Sequence, residues 1–293
     1  TTFLNNYCQQ AVCGPTRASI ITGMRPDYTK IWDLKTQIRT VSPDIVTMPQ
    51  YLITQGYSTQ GIGKVFDPRN VDANLDKQSW SVPYYKTDKK YYVPGMGEPA
   101  EGRYQDPETK LAVEKVIKEA LASGKTKAEA NEEAGIKVKP ATEGIDVPDN
   151  AYTDGANILQ AKDILAQLSK SSQPFFFAVG IAKPHLPFVA PKKYWDLYKR
   201  EDITIAPFQE KITNSVDVSY HTAGELRAYT DMPADIAATP QKDFGLTLSA
   251  DKQKELIHGY YAAISYTDAL VGKLLDALDS LELSKNTIVV LWG

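Results

Sequence analysis

Residues 154–180 read DGANILQAKDILAQLSKSSQPFFFAVG, and this stretch decides the fold class. Ile158, Leu159, Ala161, Ile164, Leu165 and Leu168 recur at the spacing of one helical face. Gln173-Pro174 interrupts the pattern, and Phe175-Phe176-Phe177-Ala178-Val179-Gly180 follows as a continuous apolar run of the kind buried in a parallel sheet. Two further stretches repeat this helix-then-strand order. Residues 48–55 (MPQYLITQ) set Met48, Tyr51 and Leu52 on one helical face, Gly56 offers a C-cap, and residues 58–62 read as a short strand entering Gly61-Ile62-Gly63-Lys64. Near the end, residues 253–281 are a long amphipathic stretch, and Ile288, Val289, Val290 and Leu291 read as another buried strand. Helices alternating with wholly apolar strands argue for an α/β sandwich around a mostly parallel sheet.

The intervening segments have different signatures. Residues 67–110 are rich in Pro, Tyr, Asp and Lys without a sustained period, which predicts a long irregular excursion. Residues 110–134 carry Leu111, Val113, Val116, Ile117, Ala120 and Leu121 among Ala, Glu and Lys, which predicts one or two surface helices. Residues 201–250 read mostly as loop. No internal repeat or low-complexity tract is visible.

Composition bounds the function. The 293 residues are 42% hydrophobic, 10% aromatic and 24% charged, which supplies a sizeable core and excludes collagen, coiled coil and tail-like disorder. Lys plus Arg number 33 against 36 Asp plus Glu, a formal charge of -3, so no global field attracts nucleic acid or an anionic membrane. Any anion must be met by a local cluster of cations. No apolar stretch approaches the roughly 20 residues of a bilayer span. The first residues show no signal peptide, and the last apolar run has nothing after it, so the sequence reads as a fragment lacking residues on both sides. Cys8 and Cys13 are too few for a disulfide framework or a structural zinc site, which leaves the redox compartment open.

Three segments carry candidate chemistry. In Ala11-Val12-Cys13-Gly14-Pro15-Thr16-Arg17, a short helix over residues 15–24 would place Cys13 at an N-terminus, where the helix dipole stabilises negative charge. Arg17, four residues on, returns to the same face. The plainer reading is a buried structural Cys or a disulfide to Cys8. Lys64 ends a strand at the edge of an α/β sheet where ligands bind, or is simply an exposed lysine after a turn. Ala182-Lys183-Pro184-His185-Leu186-Pro187 leaves the strongest strand, and its prolines stiffen a loop holding His185 as a general acid or as a surface histidine. His221, in a polar loop, and His258, on an amphipathic helix, read as structural or solvent-facing.

The pattern Cys13-x-Pro15-x-Arg17 followed by Ile20-Ile21-Thr22-Gly23 resembles the signature of type I sulfatases of the alkaline phosphatase superfamily. Gly23-Met24-Arg25-Pro26, Gly63-Lys64-Val65-Phe66, Lys183-Pro184-His185 and Val271-Gly272-Lys273-Leu274-Leu275 resemble the iduronate-2-sulfatase branch most. These matches run in the family's order over almost the whole chain, whereas residues 95–145 have no counterpart. The resemblance implies an alkaline-phosphatase-like α/β sandwich, with helices on both faces of a mostly parallel sheet. It further implies one catalytic domain over residues 1–293, incomplete in this fragment, with an irregular and helical insertion around 67–149. It implies that Cys13 becomes formylglycine through a maturation enzyme and hydrolyses the sulfuric ester of a glycan or small molecule. Arg17 and Lys64 would hold the hydrated aldehyde and the sulfate, Lys183 would join them in binding substrate, and His185 would protonate the leaving alcohol. Calcium would be bound by Cys13 as formylglycine and by ligands outside this chain. Neither nucleic acid nor membrane is implied as a partner, and the setting would be periplasmic, extracellular or lysosomal.

One departure stands out. Where the branch has a histidine after Gly-Lys-Val-Phe, this chain has Asp67, which either takes the base role in turnover or alters it. A phosphonate or phosphate monoester hydrolase of the same superfamily, and a non-catalytic binding protein on the same scaffold, are the competing readings. The central expectation is that Cys13, Arg17, Lys64 and His185 converge at the carboxyl ends of the strands. The Tyr-rich segment of residues 80–92 and the loop of residues 217–229 either line a sugar site or pack on the surface.

Overall fold

The computed structural model describes residues 4–5, 7–210, 212–216, 223–233 and 248–293. His221 and most of the loop expected after residue 216 lie outside these. In chain order the elements begin with α1 (Cys13–Thr22), α2 (Pro26–Thr29), α3 (Ile38–Val41), α4 (Met48–Thr54) and β1 (Ser58–Gly63). They continue with α5 (Pro107–Ala122), α6 (Lys127–Lys137), β2 (Thr142–Glu143), α7 (Thr153–Leu168) and β3 (Phe175–Gly180). β4 (Phe188–Val189), α8 (Lys192–Trp195), α9 (Gly224–Arg227) and α10 (Ala250–Ser280) complete the order. No described helix is long and apolar enough to cross a membrane.

The chain divides into two compact units. Unit 1 takes Thr1–Asp88, Asn157–Ala182 and Leu274–Gly293. Its centre is the parallel pair β1 and β3, in register from Ser58 opposite Phe175 to Gly63 opposite Gly180. The two-residue period of β3 divides its side chains between two cores. Phe176 and Ala178 pack with Ala18, Ile21, Ile31, Ile38 and Phe66. Phe175, Phe177 and Val179 pack with Ile62, Ala161, Ile164 and Leu168. Helices therefore cover both faces, as the apolar run predicts. The strand residues other than Gly180 are nevertheless only partly buried, because β1 is the one strand pairing with β3 among the described residues.

Helix α4 forms because Thr47 and Gln50 close a capping box at its start. At its end Gly56, at φ 84°, receives the chain into a Schellman turn, with Tyr57 N–H bonded to Leu52 O and Gly56 N–H to Ile53 O. Met48 and Tyr51 on this helix are exposed. The run Ile288 to Leu291 corrects the sequence reading: it forms no strand, and Ile288 is 91% exposed. Its apolar pattern reports what the segment is suited to bury against, but no described strand pairs with it.

Unit 2 takes Lys89–Ala156 and Lys183–Lys273. The expected surface helices are α5 and α6. Asp106 caps the first through Thr109 N–H, at 2.8 Å, and a Thr126–Glu129 capping box starts the second. β2 and β4 pair in parallel, and Ala141, Tyr229, Met232 and Leu256 form the core beside Phe188. The buried Asp149 carboxylate accepts from Lys193 at 2.7 Å and also from Lys273. His258 is structural, as expected: it is buried on α10 and donates from Nε2 to Trp195 O at 2.8 Å.

Candidate active site

Cys13 opens α1 immediately after the extended Val12, and Pro15 occupies the first turn, where no N–H is needed. Both cysteines are free, so no disulfide joins Cys8 to Cys13. The start of α1 lies against the turn at residues 67–70. A Cβ on Gly14 would fall 1.7 Å from Asn70 Oδ1, so any larger residue there would have to displace that side chain. Asn70 Nδ2 anchors the turn by donating to Asp33 O at 3.0 Å and Thr36 O at 2.8 Å. Asn70 N–H closes it onto Asp67 O at 3.0 Å, with Pro68 at the position that favours its fixed φ.

This turn presents Asp67 to Cys13. The carboxylate is 1% exposed and Oδ2 lies 3.0 Å from Cys13 Sγ, whose S–H donates to it. Arg69 grips the same carboxylate from its other side, Nε donating to Oδ1 at 2.8 Å and Nη2 to Oδ2 at 2.9 Å. Nη2 also faces Cys13 Sγ at 3.4 Å. Burial alone would raise the Asp67 pKa, but the Arg69 fork and the Cys13 hydrogen bond override it and hold the carboxyl well below its ordinary range. Burial, then the Asp67 hydrogen bond and charge, push the Cys13 thiol up, against the opposing charges of Lys64 and Arg69. The site therefore disfavours the Cys13 thiolate.

Arg17 and Lys64 are brought to this place by one backbone feature. β1 and β3 approach closely where they end, since a Cβ on Gly63 would lie 2.0 Å from Gly180 O and one on Gly180 the same distance from Lys64 C. The φ of 76° at Gly63 turns the chain out of the strand into Lys64. Arg17 Nη1 donates to the carbonyls of Lys64 and Val65, the latter at 3.0 Å, and Tyr84 O–H donates to Gly63 O at 2.7 Å. Burial draws the Arg17 pKa down, while Cys13, Asp67 and Tyr84 oppose that shift.

Cys13, Arg17, Lys64 and Asp67 thus gather within unit 1, and Lys183 and His185 lie in unit 2, in the loop between β3 and β4. Lys183 Nζ donates to His185 O and Pro187 O, both at 2.6 Å, so its ammonium holds the loop. The exposed His185 ring donates from Nδ1 to Leu186 O at 2.6 Å, and Nε2 stands 3.5 Å from Glu225 Oε1. Both ring nitrogens therefore face oxygen acceptors. Sequence reading missed Arg69, Tyr84 and Glu225. For Arg69 the signal was present: Asp67-Pro68-Arg69 is an Asx-turn sequence, and Arg69 N–H bonds Asp67 Oδ1 at 3.1 Å.

The donor set tests the groups implied. Sγ of Cys13 stands where an oxygen of a hydrated aldehyde would be, and an acceptor from Asp67 beside a donor from Arg69 suits such a hydroxyl. A metal is not matched in the same way: no group of three or more His, Cys, Asp or Glu suited to hold one occurs among the described residues.

A half-buried thiol at a helix start, beside Asp67 and Arg69, thus lies close to the carboxyl end of a parallel strand pair on an α/β scaffold. The sulfatase family model matches residues 1–293, and the chain belongs to the sulfatase family. Iduronate 2-sulfatase of Homo sapiens is 33% identical over 289 residues, which are 98% of this chain and 46% of that protein. A sulfatase of Formosa agariphila is 28% identical over 303 residues, covering all of this chain and 51% of its own length. The solved phosphonate monoester hydrolase of Agrobacterium radiobacter aligns at 16% identity and a TM-score of 0.49, over 94% of this chain and 51% of its own. The chain spans about half the length of the curated relatives it matches.

Proposed function

We propose that this chain carries the nucleophile of a sulfuric ester hydrolase acting on a sulfated sugar or similar ester, within one catalytic domain. The observation that carries the reading is the setting of Cys13: first residue of α1, its thiol hydrogen-bonded to the buried Asp67 and faced by Arg69, with the Lys64 charge acting on it. A thiol so disfavoured as a thiolate makes sense as the precursor of another nucleophile. Conversion of Cys13 to formylglycine by a maturation enzyme would supply a hydrated aldehyde, with one hydroxyl to attack sulfur and one to expel sulfate as the carbonyl re-forms.

The chain's own residues then divide the work. Lys64 and Arg17 offset the negative charge that grows on the sulfate oxygens, Arg17 fixing the carbonyls that orient Lys64. Asp67, held ionised, accepts a hydrogen bond from the nucleophile's hydroxyl and orients it; its depressed pKa makes it a better director of that proton than a resting place for it. His185 donates a proton from Nε2 to the bridging oxygen of the leaving alcohol. Lys183 contributes by shaping the loop that carries His185. The family's calcium finds no ligand shell among the described residues.

The test is mass spectrometry of the Cys13 peptide after co-expression with a formylglycine-generating enzyme, together with hydrolysis assays on the full-length protein. Loss of about 18 Da at Cys13 with preferential cleavage of a sulfate ester is expected. Preferential cleavage of a phosphonate or phosphate ester would move the reading to that class. An unmodified Cys13 without hydrolysis would leave a binding protein.

A further inference from the structure

Nothing in the sulfatase motif assigns a role to Arg69, yet its guanidinium is among the groups facing Cys13. Three observations separate it from an ordinary surface arginine. Its Nε and Nη2 fork onto the Asp67 carboxylate, which fixes the plane of the group. The remaining N–H of Nη2 points at Cys13 Sγ, 3.4 Å away. Its side chain is 52% exposed, and Nη1 has no hydrogen-bond partner among the described residues.

We propose that Arg69 is a ligand for the substrate's oxyanion, held in place by Asp67. The proposal rests on the sulfatase reading of the site. A tetrahedral oxyanion attacked from the position of Sγ has its oxygens within reach of any donor that already touches Sγ. Nη2 is such a donor, on a side chain that is half exposed. Asp67 would otherwise set a buried negative charge next to an incoming anion; paired with Arg69, it leaves the pair neutral and turns a positive edge outward. The same fork explains how an exposed, long side chain is held without the entropy a free arginine would lose on binding.

The experiment uses the full-length protein with Cys13 unmodified and inorganic sulfate as the probe. The rate of Cys13 alkylation by iodoacetamide is measured with increasing sulfate at constant ionic strength, made up with chloride, and the sulfate concentration giving half-protection is read. Taking the ratio to the sulfate-free rate of the same variant cancels any change in intrinsic thiol reactivity. In R69Q the half-protecting concentration should rise about ten- to a hundred-fold, the worth of one or two charge-assisted hydrogen bonds. R69K, which keeps the charge without the fork, should fall between. Because R69Q leaves Asp67 buried without its partner, the double variant D67N/R69Q guards against misfolding: it restores the neutral pair and should still lose protection. D67N alone keeps the Arg69 charge but loosens the fork, and should fall between the parent and the double variant. Equal protection in the parent and D67N/R69Q would overturn the role of Arg69 while leaving the sulfatase reading intact. No protection of the parent at any sulfate concentration would overturn the oxyanion site itself, and the proposal with it.

Discussion

Replacing Gly180 with alanine tests whether the close approach of β1 and β3 builds the cationic site. The new methyl would sit 2.0 Å from Lys64 C, 2.3 Å from Lys64 O and 2.4 Å from Val65 N. All are backbone atoms, so no side chain can swing away, and the chain must separate by about 1.4 Å to reach ordinary contact. Such overpacking costs about 1–3 kcal/mol. The same displacement pulls the Lys64 and Val65 carbonyls from Arg17, and a hydrogen bond from a charged group is worth about 1.5–3 kcal/mol. Together the loss should reach about 3 kcal/mol and lower the melting temperature by about 6 °C or more. Displacing Lys64 by such a distance should also reduce turnover in the full-length enzyme about a hundred-fold. Circular dichroism melts read the first effect and sulfate-ester hydrolysis the second. Gly272→Ala is the control: nothing lies within 4 Å of its added methyl, and alanine in the middle of α10 should leave the melt unchanged or raise it. A Gly180→Ala protein melting within about 1 °C of the parent would refute the argument.

In the full-length, formylglycine-bearing enzyme, His185→Ala should slow hydrolysis of a sugar sulfate about 10²- to 10⁴-fold. A nitrophenyl sulfate, whose leaving group needs no proton, should suffer far less; equal losses on both would remove the general-acid role. Arg39 forks onto the buried Asp76 at 2.8 Å for each bond, so Arg39→Ala strands a charge and should cost about 3–5 kcal/mol in urea unfolding at unchanged m-value. Burial would raise the Asp149 pKa, but Lys193 and Lys273 hold it below 3.8, so this carboxylate contributes stability that is present above about pH 4 and drains as pH falls further. Asp149→Asn should therefore flatten the stability profile below that pH, and an unchanged slope in urea titrations between about pH 2 and 6 would contradict the assignment.

The elements that were legible in sequence are those with a local cause. The periodicity of residues 158–168 and the Gly56 cap of α4 act within a few positions, so they could be read directly. The placing of Cys13 at a helix start and of Lys64 after a strand end was legible because both are local events. Asp67 was visible as a departure, but the fork from Arg69 depends on a turn closing, and its meaning depends on Cys13 arriving from 54 positions away. Lys183 shows the opposite limit: the family resemblance pointed to its role in binding, whereas its bonds to His185 O and Pro187 O arise only once the loop closes. The run Ile288 to Leu291 failed as a strand because pattern specifies an appetite for burial and not the partner that would satisfy it.

The grip of Arg17 on the carbonyls of Lys64 and Val65 bears on mutational tolerance. A main-chain oxygen is present whatever side chain the residue carries, so position 65 is free to drift among apolar residues that still fill the core beside Phe66 without loosening the brace. The burden of identity falls on the other end. A lysine at 17 would bring a single ammonium, whose attachment to two carbonyls lacks the planar geometry a guanidinium provides. A saturation library should accordingly return several residues at 65 and arginine alone at 17, an asymmetry set by which partner donates from a side chain and which accepts from the backbone.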